Sequence, residues 1–184
     1  MNGRPRPPTQ IVLLRGVNIG SHNRIAMPKL REALGAAGFD DARTYLQSGN
    51  VALSSGATPA KLATRCRQLI ADAFGLDLEV IVRTRAELAA VVRRNPLGDV
   101  ATEPKRYQVT FLAATPEPDV VKRLAALAAT PERLVDHGRE LYTWHPAGIA
   151  RSKLWAGIAS SQLGVAATSR NWATVTALLQ LANE

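Results

Sequence analysis

The sequence predicts an α+β protein made of two ferredoxin-like βαββαβ units, each an antiparallel sheet covered by helices, followed by a C-terminal helix. Two observations support this fold class. Short β-type runs alternate with segments of helical spacing in the order strand, helix, strand, strand, helix, strand, and this order occurs twice along the 184 residues. Turn-forming and capping residues also fall between these segments, where the predicted elements have to end.

The first half begins with an apolar run at 11–14 and a helix over 28–37, for which Pro28 suits the first turn and Gly38 the end. The residues Gln-Ser-Gly-Asn at 47–50 indicate a tight hairpin. Thr58 predicts the cap of a second helix, which Gly75 ends. The remaining elements are strands over 43–46, 51–54 and 78–82, and a helix introduced by the capping box Thr84-Arg85-Ala86-Glu87 and ended by Pro96.

The second half repeats the order of the first. Its elements are a strand over 107–113, a helix over 119–129, a hairpin of 133–137 and 140–144 around Gly138, a helix over 152–163, a short strand over 165–168 and a terminal helix over 170–182. The predicted organisation is a disordered leader at 1–9, a first unit at 10–83, a connecting helix and linker at 84–105, and a second unit with the C-terminal helix at 106–184.

Composition limits the classes of function. No apolar run approaches the roughly 18 residues that span a bilayer, so we expect no membrane partner. The single cysteine, Cys66, cannot form an internal disulfide and is consistent with a cytoplasmic protein. Its helical spacing with Leu62, Leu69 and Ile70 predicts a buried, unreactive thiol. The net charge of +8 favours anionic partners, such as a small anionic molecule or nucleic acid, and leaves the oligomeric state open.

Polar residues and glycines follow the first strand and precede the third. In the ferredoxin-like order these two strands are antiparallel neighbours, so both blocks should meet at one end of the sheet. Their side chains and free backbone N–H groups are mainly hydrogen-bond donors, which suits an anionic ligand. The alternative is a structural role, in which these residues form tight turns and Arg15 pairs with Asp40 or Asp41. The candidate ligand-binding residues of this cluster are Arg15, Gly16, Asn18, Gly20, Asn23, Ser48, Gly49 and Asn50.

Three further candidates, Lys153, Arg170 and Asn171, lie in the second half. Arg170 and Asn171 are expected in the first turn of the terminal helix, where the helix dipole disfavours a cation, and this conflict hints at a bound anion or a partner carboxylate. Trp172 suits either a core position or a stacking platform. Ser152 is expected to cap a helix and Lys153 to face solvent.

The residues leave the function open between classes. The first is a binding module for a phosphate-containing or nucleotide-like anion. The second is an enzyme acting on a phosphorylated or other anionic substrate, with Arg15, Lys153 or Arg170 stabilising developing charge, although the polar blocks contain no carboxylate or histidine base. The third is nucleic-acid binding or an adaptor role, but the strands at 11–14 and 51–54 lack the aromatic residues that stack bases.

No metal or cofactor is expected, because the three histidines show no ligand spacing and the loop at 15–24 matches no nucleotide-binding fingerprint.

Several blocks resemble the bacterial family called domain of unknown function 1697. The resemblance implies a cytoplasmic α+β protein of two units and no particular activity, since the family has none established. Ile19-Gly20-Ser21 stands where many members have Val-Gly-Gly, which weakens any need for glycine at position 21. The blocks are 13–18 (Leu-Leu-Arg-Gly-Val-Asn), Asn23, Met27, Leu30-Arg31, 44–51 (Thr-Tyr-Leu-Gln-Ser-Gly-Asn-Val), Asn95-Pro96, Ser152-Lys153 and 168–175 (Thr-Ser-Arg-Asn-Trp-Ala-Thr-Val).

Overall fold

A computed structural model describes residues 8–184. These residues form two compact units. The first comprises the described residues up to Ala90 together with Ala177–Glu184, and the second comprises Val91–Thr176. One boundary between the units falls inside the segment 84–105 that the sequence suggested as a connection, and the other, between Thr176 and Ala177, falls inside the suggested second unit 106–184. Residues 1–7, which make up most of the predicted leader, lie outside the described part.

The first unit is an antiparallel four-stranded sheet in the order β2-β3-β1-β4, which is the ferredoxin-like order. Its two helices follow the first and third strands, as the sequence predicts. The elements are β1 (Gln10–Leu14), α1 (Met27–Ala36), β2 (Arg43–Tyr45), β3 (Asn50–Leu53), α2 (Pro59–Phe74) and β4 (Val80–Thr84), followed by α3 (Arg85–Arg94).

Local signals in the sequence explain where these helices begin and end. The Thr58 hydroxyl accepts a hydrogen bond from the Lys61 N–H at 3.4 Å, and Gly75 ends α2 in the left-handed region at φ 67°. Thr84 and Glu87 form the predicted capping box, since each side chain accepts a hydrogen bond from the other residue's N–H.

The core of the first unit lies between one face of its sheet and helices α1 and α2. Alternate strand residues, such as Val12, Val51 and Val82, pack there with helix residues such as Leu30 and Cys66. The opposite face of the sheet is also buried, which explains why residues 11–14 of β1 are all apolar. Its side chains are Ile11, Leu13, Asn50, Ala52, Ile81 and Arg83.

The second unit has the same topology, with strand order β6-β7-β5-β8. Leu112 and Leu141 pack beneath helix residues Leu124, Leu154 and Ile158. The elements are β5 (Tyr107–Leu112), α4 (Pro118–Ala126), β6 (Arg133–His137), β7 (Glu140–Trp144), α5 (Lys153–Ala159), a short 3₁₀ helix (Ser161–Leu163) and β8 (Ala167–Asn171), followed by α6 (Trp172–Leu181). The prediction of two ferredoxin-like units and a C-terminal helix is therefore confirmed.

The last strand is longer and the last helix shorter than the sequence suggested. Arg170 and Asn171 belong to β8, where they lie opposite Val109 and Gln108 of β5, so placing them in the first turn of a helix was wrong. The cap of α6 is Asn171, whose Oδ1 accepts a hydrogen bond from the Thr174 N–H at 2.9 Å. Pairing with β5 extends the strand, and this tertiary interaction overrides the local helical signal.

Candidate functional site

The two polar blocks of the first half lie side by side at one end of the first sheet, as predicted. Leu13 of β1 is paired with Asn50 of β3, and the Leu14 N–H donates to the Gly49 carbonyl at 2.9 Å. The β1–α1 loop and the β2–β3 hairpin therefore start from neighbouring points. We call residues 15–26 and 46–50 the loop cluster.

Asn18 holds the two loops of the cluster together. Its side-chain amide donates to the Gln47 carbonyl at 2.6 Å and to the Ile25 carbonyl at 2.9 Å. Its Oδ1 accepts from the Ile25 N–H at 3.0 Å. Through these three hydrogen bonds, the Asn18 side chain closes the β1–α1 loop and attaches that loop to the β2–β3 hairpin.

Left-handed backbone conformations complete the β1–α1 loop. Gly16, Asn18, Gly20 and Asn23 have φ values of 69°, 56°, 58° and 48°, a region that glycine and asparagine tolerate best. The Asn23 side-chain amide donates to the Gly16 carbonyl at 3.2 Å. The glycines and asparagines of the loop therefore build its shape, which was the structural alternative for these residues.

The hairpin depends on a close approach between Gly49 and Leu14. A Cβ atom on Gly49 would lie 2.7 Å from the Leu14 Cβ, and Gly49 has φ 71°. Its neighbour Asn50 is fully buried and donates to the Tyr45 carbonyl at 3.1 Å and the Ser48 Oγ at 3.0 Å. Only glycine fits at position 49, and Asn50 closes the turn from inside.

Arg15 differs from the amide residues around it. Its backbone N–H donates to the Glu79 carbonyl at 2.9 Å, which fixes the main chain, and its side chain is half-buried. Within residues 8–184 its guanidinium makes no hydrogen bond or ion pair. The Asp41 carboxylate instead accepts from the Ser54 N–H at 2.8 Å, so the suggested pairing of Arg15 with Asp40 or Asp41 is not formed.

The tips of the loop cluster expose two aliphatic side chains that sequence reasoning missed. Ile19 is 68% exposed and Leu46 is 58% exposed, the highest values among the large hydrophobic residues of the described chain. Leu46 also has φ 56°. A leucine in the left-handed region could not be anticipated, because the sequence signal for that conformation is glycine, asparagine or aspartate.

The three candidates of the second half belong to the second unit. Lys153 is exposed at the first position of α5, where the preceding Ser152 hydroxyl accepts from the Trp155 N–H at 3.0 Å. Arg170 is buried, and its Nη1 donates to the Thr168 Oγ1 at 2.7 Å and the Ser169 carbonyl at 2.8 Å. Burial lowers the pKa of Arg170 to about 10. The neutral Asn171 caps α6. Lys153 is therefore the one residue of the three whose charged side chain is exposed to solvent.

Arg170 has a counterpart in the first unit. Arg83 is 1% exposed, occupies the next-to-last position of β4, and its Nη1 donates to the carbonyl of the preceding Val82 at 3.1 Å. In each unit the next residue, Thr84 or Asn171, caps the following helix. The duplication is therefore visible in the positions of these side chains as well as in element order.

A buried acid–histidine pair in the second unit was not anticipated. The Glu132 Oε1 lies 2.7 Å from the Nδ1 of His145, a fully buried residue, and the His145 Nε2 lies 2.9 Å from the Thr143 Oγ1. Because a carboxylate only accepts, the Nδ1 proton is directed at Glu132, and Nε2 can accept the Thr143 hydroxyl proton. These residues meet through the fold and carry no spacing signal in the sequence.

Glu132 is held as a carboxylate. Burial alone would raise the pKa of Glu132, but hydrogen bonds from Ser152, His145 and the Ala129 N–H outweigh burial and hold that pKa below its usual range. The residue borders a cavity of about 320 Å³ that Arg151, Ser152 and Lys153 also line. The cavity thus combines two cationic side chains with a carboxylate that is already engaged in hydrogen bonds.

Other reactive groups are few in the described part of the chain. Cys66 is 1% exposed, and burial raises the pKa of its thiol to about 11, which confirms the predicted buried position. No group of three or more histidine, cysteine, aspartate or glutamate side chains suited to a metal ion occurs within residues 8–184. Over the same residues, no helix is both long and apolar enough to cross a membrane.

Comparison with solved structures supports the fold. A conserved bacterial protein from Streptococcus pneumoniae, SP0830, is similar over 95% of this chain and 98% of its own, with a TM-score of 0.73 and 18% sequence identity. At this identity the likeness concerns the fold alone. A search of curated protein sequences finds no significant match.

A family model matches residues 8–142, which contain the loop cluster and the Asn95-Pro96 block. The Ser152-Lys153 and 168–175 blocks lie beyond the matched residues. The family is described as a protein of unknown function, and the match covers well over half of the chain. The chain belongs to the DUF1697 family.

Proposed function

We propose that this protein binds an anionic, phosphate-containing ligand at the loop cluster, with Arg15 as the charged contact. The supporting observation is the guanidinium of Arg15, which is half-buried on a fixed main chain and has no hydrogen-bond or ion-pair partner within residues 8–184. A cation in this position keeps its hydrogen-bonding capacity for a ligand, and a guanidinium can contact two phosphate oxygens at once.

The surrounding framework supports the same proposal. Asn18 and Asn23 use their side chains to hold the loop, so the geometry next to Arg15 is set before a ligand arrives. A preorganised site loses less conformational entropy on binding than a flexible one. The net charge of +8 adds a general attraction for anions.

Thermal denaturation of the parent protein and Arg15→Ala, each with and without inorganic phosphate or a nucleotide at two salt concentrations, tests the proposal. We expect the ligand to raise the melting temperature of the parent but not of Arg15→Ala, because a ligand stabilises only a state that it binds. The shift should be smaller at high salt. Without ligand, Arg15→Ala should keep or slightly raise the melting temperature, since no intramolecular pair is lost.

Arg93→Ala is the matched control, because Arg93 is an exposed arginine in the last turn of α3, outside the loop cluster. It should respond to phosphate as the parent does. A drop of several degrees in Arg15→Ala, together with no phosphate effect in the parent, would assign Arg15 to the fold and contradict the proposal.

A second candidate is an enzyme acting on an anionic substrate in the second unit. The observation that favours it is the cavity of about 320 Å³ in which Lys153 and Arg151 lie beside Glu132 and Ser152. The nearby His145 has no exposed surface and uses both ring nitrogens, so it would first have to be released before it could act as a base. Hydrolysis of phosphate esters that is lost in Lys153→Ala but retained in Arg15→Ala would support this candidate.

Nucleic-acid binding through a sheet face is less well supported. Aromatic residues do lie on the central strands β5 and β7, namely Tyr107, Phe111, Tyr142 and Trp144, but each is at most 7% exposed. Tyr107 also stacks on Trp172, with ring centroids 4.7 Å apart. These rings are not accessible for base stacking.

The single cysteine supports our further proposal that the protein is cytoplasmic, since reducing compartments disfavour disulfides.

A further inference from the structure

We infer that the loop cluster is a docking surface for an anionic phospholipid bilayer. In this arrangement Ile19 and Leu46 enter the boundary between headgroups and acyl chains, and Arg15 and Arg24 contact lipid phosphates. The inference rests on the proposed anion binding at Arg15 and names the anion as a phosphodiester headgroup.

One hydrogen bond joins the two loops beside their aliphatic tips. Asn18, which donates to the Gln47 carbonyl at 2.6 Å, immediately precedes Ile19, and Gln47 immediately follows Leu46. Two separate loops thus present their most exposed aliphatic side chains at the same end of the first sheet. Two large aliphatic side chains exposed at one end of a sheet, rimmed by polar residues, favour an interaction surface there.

Both the backbone conformation and the solvent exposure of Leu46 are energetically unfavourable in the free protein. Its φ of 56° places a branched side chain in a backbone region that favours glycine or asparagine, and that side chain is 58% exposed. Neither feature contributes to the stability of the isolated chain. Residues that break local rules in this way concentrate at sites where the chain interacts with something else.

The charge around these tips matches an anionic surface. Residues 15–26 and 45–50 contain Arg15 and Arg24 and no aspartate or glutamate. At the same end of the sheet Glu79 precedes β4, but its carboxylate lies 3.5 Å from Arg67, which also pairs with Asp77 at 2.6 Å. The cations of the loop cluster are therefore not compensated by these carboxylates.

A lipid surface fits this pattern better than a protein partner. A second copy of the chain would bring the same arginines against each other, which is repulsive. Protein interfaces usually depend on aromatic and arginine hot spots within an extended buried patch, whereas leucine is under-represented among them. Two protruding aliphatic side chains with flanking cations suit shallow insertion into a bilayer. This inference departs from the expectation of no membrane partner, which rested on the lack of a spanning apolar run; a peripheral contact needs no such run.

The test is co-sedimentation of the protein with vesicles of phosphatidylcholine alone or mixed with phosphatidylglycerol. We expect binding to the mixed vesicles only, weakening as salt is added. Leu46→Asn is the most informative variant, because asparagine suits the left-handed backbone and removes the apolar group. It should lower vesicle binding about tenfold while keeping or raising the melting temperature.

Ile19→Ser should lower vesicle binding by a similar factor. Val100→Ser is the control: it removes an exposed aliphatic side chain in the second unit and should leave vesicle binding unchanged.

Each outcome separates the two proposals. Phosphate that stabilises the parent through Arg15, with no binding to mixed vesicles, would overturn the lipid inference and leave the proposed function standing. Vesicle binding that is unchanged in Leu46→Asn and Ile19→Ser would overturn the inference as a non-specific effect of charge. Concentration-dependent dimerisation that Leu46→Asn abolishes would overturn it in favour of a contact between two copies.

Discussion

The side-chain amide of Asn18 donates to the carbonyl oxygen of Gln47 at 2.6 Å and thereby joins the loop after the first strand to the hairpin before the third. The two residues are twenty-nine positions apart in the chain, and the contact defines the end of the sheet where the candidate site lies. The same end contains the half-buried Arg15 and the exposed tips of both loops.

Replacing Asn18 should damage this region more than replacing Asn23. Asn18→Ala loses three hydrogen bonds and places alanine at φ 56°, whereas Asn23→Ala loses one bond at φ 48°. We expect losses of about 2–4 kcal/mol for Asn18→Ala and about 1–2 kcal/mol for Asn23→Ala in urea denaturation. Equal effects would show that Asn18 does not hold the two loops together.

Gly49→Ala should be more destabilising than Gly20→Ala, although both glycines have positive φ. The added Cβ at position 49 meets Leu14 at 2.7 Å, whereas nothing lies within 4 Å of a Cβ at position 20. We expect about 1 kcal/mol for Gly20→Ala from the backbone alone and about 2–4 kcal/mol for Gly49→Ala, where overpacking is added. Matching melting temperatures for the two variants would contradict the close approach.

Cys66 should react slowly with thiol reagents in the native protein, and it should make stability fall at alkaline pH. Burial raises its pKa from 9.0 to about 11, so the folded state keeps a proton that the unfolded state loses between these values. The contribution is fully present below pH 9.0 and is lost as pH rises towards about 11, by about 3 kcal/mol in all.

Unfolding free energies of the parent and Cys66→Ala, measured across this range, isolate the effect from other alkaline titrations. The advantage of the parent should shrink as pH rises. A constant difference between the two proteins, or rapid labelling of native Cys66, would contradict a buried thiol.

Glu132→Gln should destabilise the second unit near neutral pH and much less in acid. The pKa of Glu132 lies below its usual 4.5, so the charged form contributes stability above that pH, and the contribution is lost as pH falls through the lowered value. Glu117→Gln is the control, because Glu117 is exposed and its side chain makes no capping hydrogen bond. If the gap between Glu132→Gln and the parent persists at low pH, the interaction is not one of charge.

The sequence was sufficient to predict the architecture because its signals are local. The cap at Thr58, the capping box of Thr84 and Glu87 and the left-handed end at Gly75 each depend on a few neighbouring residues. The juxtaposition of Arg15 with the hairpin followed from topology alone. The extent of β8 could not be predicted, since pairing with β5 rather than local preference places Arg170 in a strand.

The candidate site was less predictable than the fold. Patterns of residue type cannot show that Asn18 uses its amide within the loop, that Arg15 lacks a partner within residues 8–184, or that Leu46 adopts a left-handed backbone. Glu132 and His145 meet through the loops that flank the β6–β7 hairpin, a contact that has no periodicity to detect. Such relationships are decided by side-chain geometry after the chain has folded.

The central place of β1 in its sheet has a consequence for biosynthesis. β1 is translated before both of its partners, β3 and β4, and β4 ends at Thr84. Until those strands have left the ribosome, the mostly apolar segment Gln10–Leu14 has two unpaired edges, a state in which strands associate with other chains. β5 repeats the situation, since β7 and β8 follow it in the chain. Twice during synthesis, therefore, the central strand of a sheet is complete before the strands that pair with it, and β1 and β5 are the segments most exposed to association with other chains at that stage.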